Sequence, residues 1–130
     1  MIRNILVVAQ HGRLVYAHEF DPHESLKWSI KGVGSLVSAL HSIIPLLSGG
    51  NSIRKVKLDD DYLLIQSSDK LVFALSADER CTEEHEKKLK FIVDNFTSQY
   101  EDLIPFIDEN SDLEVFNDFT DVLNQSNLFP

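Results

Sequence analysis

The sequence has one cysteine, Cys81, in 130 residues, which excludes a disulfide within the chain and any metal site built on several thiolates, and suits a reducing compartment. It also lacks a long apolar run. The opening Met1-Ile2-Arg3-Asn4 and the short apolar run to Ala9 are too brief for a secretory signal peptide and have no small-residue cleavage region. The longest amphipathic stretch carries Lys27, Lys31 and His41 and meets Pro45, so no membrane span is expected there. Glycine is sparse, and neither Gly32-Val33-Gly34 nor Ser48-Gly49-Gly50 has the spacing that aims backbone amides at a phosphate. No cofactor is expected; if GTP is involved, another protein binds it. Basic residues stop at Lys90: residues 1–90 hold all 12 Lys and Arg against 12 acids, whereas residues 91–130 hold nine acids and no base, giving the net charge of −9. Phosphate backbones and anionic lipid are bound by Lys and Arg, so nucleic acid and direct membrane docking are both disfavoured. An acidic C-terminal surface attracts a basic protein patch or serves solubility alone.

What is present reads as a mixed α/β chain suited to a single domain over 1–130. Residues 2–9 form a strand whose two alternating sets are both apolar from Ile5 onward, the pattern of a strand covered on both faces. A turn containing Gly12 leads into a second strand, Leu14 to Phe20, with the weaker alternation of an edge. Further strands are predicted at Ile53 to Leu58, at Tyr62 to Gln66 and at Leu71 to Ala77, the last again apolar on both faces and expected beside the first at the sheet centre. Thr82 is a plausible N-cap for a helix carrying Leu89, Ile92, Val93, Phe96, Tyr100 and Leu103, stopped by Pro105. Ser111-Asp112-Leu113-Glu114 matches a capping box, which predicts a third helix with Leu113, Phe116, Thr120 and Leu123 inward and Phe119 and Val122 at its flank.

The chain is organised around Glu24 to Ser48, read as one long helix. Leu26, Ile30, Val33, Val37, Leu40, Ile44 and Leu47 alternate spacings of four and three and so share one face. Beside that stripe fall Trp28, Gly32, Leu36, Ala39 and Ile43, widening the apolar arc to roughly 200° where one sheet needs only about 100°. Something besides the sheet should cover the excess. The candidate partner-binding surface is therefore Trp28, Gly32, Leu36, Ala39 and Ile43, continued by Ile53, Val56 and Leu58 on the Lys-rich strand, with tryptophan as a common interface anchor. The plainer alternative is that sheet curvature and a neighbouring loop bury these side chains within the monomer.

Catalysis finds little support. His18 and His23 are five apart across a proline, not the four that align two ligands on a helix. Cys81 and His85 could sit one helical turn apart as a nucleophile pair, but the surrounding acids would raise the thiol pKa. A non-enzymatic protein is the expectation, with a cysteine hydrolase the least favoured reading.

Strand, strand, long helix, three strands and two helices make a three-layer α/β (α+β) sandwich, one long helix on one face of an antiparallel sheet and two helices on the other. With the opening Met-Ile-Arg-Asn-Ile-Leu-Val-Val-Ala-Gln-His-Gly-Arg-Leu-Val-Tyr, this order resembles the longin domain family over residues 1–123, with roadblock and profilin-like folds sharing parts of the layout. The resemblance implies the sheet order 2-1-5-4-3. No long heptad segment follows the domain within these residues, unlike a full longin SNARE, and Asp61-Tyr62-Leu63-Leu64-Ile65-Gln66 stands where small adaptor subunits carry an arginine-rich pattern. A stand-alone longin is thus implied: a homodimer, or a heterodimer with a longin or roadblock-type domain, in small-GTPase regulation or vesicle-type membrane trafficking, cytoplasmic and at membranes only through a partner. The alternative is a profilin-like sensor that encloses a small ligand between the long helix and the sheet.

Overall fold

A computed structural model describes residues 2–9, 13–20, 53–58, 61–68, 71–108 and 110–128. The described strands are β1 (Ile2–Ala9), β2 (Leu14–Glu19), β3 (Arg54–Leu58), β4 (Asp61–Ser68) and β5 (Leu71–Ala77), and the described helices are α1 (Glu83–Gln99) and α2 (Phe119–Ser126). The strands form one antiparallel sheet in the order β2-β1-β5-β4-β3. The two strands that are apolar on both sets, β1 and β5, pair along Ile2 to Ala9 and every residue of each is buried, as a central position requires.

Strand alternation sorts the core. Ile5, Val7, Leu64, Phe73 and Leu75 pack with Leu89, Ile92 and Phe96 of α1 and with Phe119 and Leu123 of α2, so both helices lie on one face. On the alternate register, Leu6, Val8, Leu63, Ile65, Val72 and Ala74 are only 0–2% exposed, so the second face is sheltered as well. The long helix expected over 24–48 lies outside the described residues.

Local chemistry explains the boundaries. In the β1–β2 hairpin, the Ala9 N–H donates to the Arg13 carbonyl (2.8 Å) and the Phe20 N–H to the Arg3 carbonyl (2.9 Å). Val7 pairs with Tyr16 but Val8 with Leu14, which leaves Val15 as the extra residue of a bulge and buries Val15 and Tyr16 together. Helix α1 starts where expected: the Thr82 N–H donates to His85 Nδ1 (3.0 Å), so a histidine takes the usual Glu or Gln role three residues on.

Two expectations fail near the C-terminus. Helix α1 ends at Gln99, and the Leu103 and Ile104 N–H groups both donate to the Tyr100 carbonyl, so Leu103 leaves the helical face and is 42% exposed. Ser111 caps no helix. Its hydroxyl instead donates to the Phe106 carbonyl and accepts from the Asp108 N–H, while Asp112 Oδ1 accepts from the Glu114 N–H (3.0 Å) and sets up a 3-10 turn, Glu114–Asp118. The α-helix begins only at Phe119, which is thereby fully buried instead of flanking. It closes on Asn127 in the left-handed region (φ 59°), a cap that asparagine tolerates.

Candidate interaction surface

The two ends of the sheet differ in chemistry. At one end, β3 pairs only with β4 among the described strands. Its Arg54, Lys55 and Lys57 are exposed, the composition that keeps an edge from pairing indiscriminately. Lys55 Nζ lies 3.5 Å from Glu86 of α1, and Lys57 Nζ stands 5.8 Å from the Tyr62 ring centroid. Of the residues predicted to bind a partner, Ile53 is partly buried against the α1-side core, whereas Val56, opposite Leu63, falls in the alternate register and is half-buried. The strand therefore sends Ile53 and Val56 to different faces. Leu58 is placed by its backbone pairing with Asp61. Trp28, Gly32, Leu36, Ala39 and Ile43 lie outside the described residues, as does the space between the long helix and the sheet where the sensor alternative would hold its ligand.

A shallow recess of about 170 Å³ sits beside β3 and β4, with Lys55, Lys57, Tyr62, Arg80 and Cys81 around it. That is below the roughly 300 Å³ at which ligand pockets begin.

At the other end, β2 is held by the C-terminal elements. The Tyr16 hydroxyl is 2.7 Å from Thr120 Oγ1 of α2, and Arg13 Nη1 donates to the Asp108 carbonyl at 2.9 Å. Between residues 13–17 and residues 111–114, with Asn117 beyond, runs an open groove of about 490 Å³. Asp112 and Glu114 on its far wall are exposed. The sequence shows the acids here but not the groove, whose two walls lie far apart along the chain.

The residues weighed for chemistry are engaged structurally. Both His85 nitrogens have other partners: Nδ1 accepts the Thr82 N–H, and Nε2 faces Glu79 Oε1 at 3.5 Å. Burial pushes the Cys81 thiol pKa up from its ordinary value, with Lys55 opposing and Glu79 and Glu86 adding to the rise, so the thiolate that a nucleophile needs is disfavoured. His18 stacks edge-on against Phe20 at 4.6 Å, and burial holds its pKa below the ordinary value; His23 lies outside the described residues.

Among the described residues, no helix is long and apolar enough to cross a membrane. No family model matches the chain, and no curated protein matches its sequence. Among solved structures it is similar to a Roadblock/LC7 domain from Streptomyces avermitilis, at 16% sequence identity over 76% of this chain and 84% of that one, with a TM-score of 0.49.

Proposed function

We propose that the chain is a single longin-like domain acting as a non-enzymatic protein-interaction module, which pairs with a second copy or with a longin or roadblock-type domain. Its setting in this reading is small-GTPase regulation or membrane trafficking, in the cytoplasm and at membranes through a partner. The supporting observation is the β3 end of the sheet: an outermost strand with exposed Arg54, Lys55 and Lys57 around a half-buried Val56. The over-wide apolar arc on the preceding segment, with Trp28 and Leu36 beside its main stripe, adds sequence support. Pairing along a strand edge satisfies main-chain groups, and an apolar flank supplies the area. The GTPase and trafficking setting draws on the longin resemblance alone.

The test is the mass of the purified chain in solution by sedimentation equilibrium, alone and with purified small GTPases in their GDP and GTP-analogue forms. An assembly larger than one chain is expected, and it should be lost in Trp28→Asp with Leu36→Asp and weakened in Val56→Asp, with circular dichroism unchanged. A monomer at all concentrations that binds none of the GTPases, or an assembly indifferent to all three substitutions, overturns the reading.

A further inference from the structure

Glutamate or glutamine is the ordinary acceptor three residues into a helix, and its side-chain oxygen goes on accepting throughout the neutral range. Helix α1 has His85 in that place. The Thr82 N–H donates to Nδ1 at 3.0 Å, and a main-chain N–H cannot become an acceptor, so Nδ1 must be bare for the contact to exist. Nε2 then carries the ring proton and faces Glu79 Oε1 at 3.5 Å. The Thr82 hydroxyl, also 3.0 Å from Nδ1, serves as donor or acceptor and so tolerates a change of protonation. The main-chain contact does not.

The charged groups around the start of α1 come from several elements. The segment ahead of it brings Glu79 and Arg80, and the Glu79 carboxyl is held below its ordinary value by the N-terminal ammonium first and by His85 with it, Asp78 opposing. β3 brings Lys55, 3.5 Å from Glu86, and α1 itself brings Glu83, Glu84, Glu86 and Lys88, the last 3.7 Å from Glu84. β5, on which α1 packs, has no titratable side chain in Leu71–Ala77, and β4 opens with Asp61 and Tyr62. Whatever balance these charges strike, a ring that carries a proton on Nδ1 cannot also accept one there.

Two further groups depend on this first turn. Cys81, next to Thr82, is 7% exposed and belongs to the core shared by α1 and the sheet. Glu86, whose N–H donates to the Thr82 carbonyl (3.1 Å), reaches Lys55 on the outermost strand. A helix end that loses a cap opens from that end, over about its first turn.

We infer that His85 makes the start of α1 an acid-sensitive latch: a proton on Nδ1 removes the Thr82 contact, loosens residues 82–86, uncovers Cys81 and separates Glu86 from Lys55. The opening is local, because Leu89, Ile92 and Phe96 hold the rest of α1 on the sheet. Releasing Lys55 from its acid leaves β3 more positive. That consequence for pairing rests on the function proposed above; the latch itself does not.

Cys81 is the one thiol of the chain, so its alkylation by iodoacetamide reads the latch directly. The rate is compared at each pH with that of a synthetic peptide of residues 79–84, which cancels the ordinary loss of thiolate on acidification. Histidine takes up its proton between about pH 8 and pH 5. Over that range the rate relative to the peptide should rise about fivefold, the effect of removing one cap of typical strength. His85→Gln, which accepts through its amide oxygen and does not titrate, should stay slow and vary by less than about twofold. His85→Ala should be about fivefold faster than the wild type at the alkaline end and unresponsive to acid. Exchange of individual amide hydrogens separates opening from unfolding: the Glu86 N–H should lose protection on acidification while the Tyr100 N–H, bonded to the Phe96 carbonyl at 3.1 Å, keeps it. A relative rate indifferent to pH overturns the inference, as does His85→Gln responding like the wild type, or Glu86 and Tyr100 losing protection together. Every reading uses the full chain without a partner, so failure here is distinct from a failure of β3 pairing, which sedimentation reports.

Discussion

Replacing Phe96 by alanine should be among the most damaging substitutions in the α1-side core, and its cost can be sized from its surroundings. The ring is fully buried and is met by five others: Tyr16 at 6.1 Å, Phe73 at 5.7 Å, Tyr100 at 4.8 Å, Phe116 at 5.5 Å and Phe119 at 5.0 Å between centroids. Those rings belong to β2, β5, the end of α1, the 3-10 turn and α2, so collapse into the vacated space would require several elements to move at once. Buried Phe→Ala changes cost about 3–5 kcal/mol, the higher values arising where the cavity cannot close. The upper part of that range applies here, about 4–5 kcal/mol, against a total stability of about 5–15 kcal/mol. For a chain of this length, 4 kcal/mol corresponds to a fall of about 15 °C in Tm, given an unfolding entropy of roughly 2.1 cal/mol/K per residue. Urea denaturation followed by far-ultraviolet circular dichroism measures it, with an unchanged m-value marking an intact two-state transition. Phe96→Leu, which leaves a smaller void, should cost about half as much. A loss under about 1.5 kcal/mol for Phe96→Ala would refute the claim that one aromatic cluster locks α1, α2 and the sheet together.

Three further outcomes are expected. Burial raises the Tyr16 and Tyr100 phenol pKa values from the ordinary one, with the Thr120 hydrogen bond opposing and Asp121 adding at Tyr16, and with Asp118 adding at Tyr100. The unfolded chain therefore deprotonates first: the stability present below the unfolded tyrosine value is lost as pH rises through the folded one, and Tyr16→Phe with Tyr100→Phe should flatten that alkaline decline in urea titrations. His85→Ala leaves the Thr82 N–H without its acceptor and should cost about 1 kcal/mol by denaturant titration, whereas His85→Gln, the usual capping-box residue at that position, should recover most of it. Among the described residues Ser76 Oγ is buried with no hydrogen-bond partner, so Ser76→Ala should raise stability by about 1 kcal/mol; a loss of that size would show that the hydroxyl is satisfied.

The sheet was legible because strands covered on both faces have a signature of their own. Ile5 to Ala9 and Leu71 to Leu75 are apolar at successive positions, which places them at the centre, and β1 and β5 are indeed the inner pair. The bulge at Val15 was not legible, since its residues fit a regular alternation and only the register against β1 reveals the extra one. Ser111-Asp112-Leu113-Glu114 misled for a related reason. A capping box competes with other local hydrogen bonds available to the same side chains, and here Asp108 and Phe106 win the Ser111 hydroxyl. The groove beside β2 joins residues about a hundred positions apart, through Arg13 to Asp108 and Tyr16 to Thr120, and no window along the chain contains both walls. Five of the eight residues of the partner surface expected from sequence fall within 24–48, outside the described residues, where periodicity alone speaks.

The charge on β3 makes the kind of partner measurable through salt. Two copies meeting edge to edge about a two-fold axis at Val56 would set Lys55 of each against Lys57 of the other, and like charges directly opposite one another destabilise a strand pair. Glu86 lies 3.5 Å from Lys55 and offsets part of that repulsion, but among the described residues Lys57 stands over the Tyr62 ring with no acid within ion-pair distance. Self-pairing through β3 should therefore strengthen as salt shortens the screening length from about 30 Å at 0.01 M to about 3 Å at 1 M. A related domain presenting acids on its matching edge behaves in the opposite way, its affinity falling over the same range. Sedimentation across a salt series, with Lys57→Gln as the internal control, separates the two: the substitution should tighten a homodimer at low salt and loosen a heterodimer. An assembly whose constant ignores both salt and Lys57 would show that β3 is not where the partners meet.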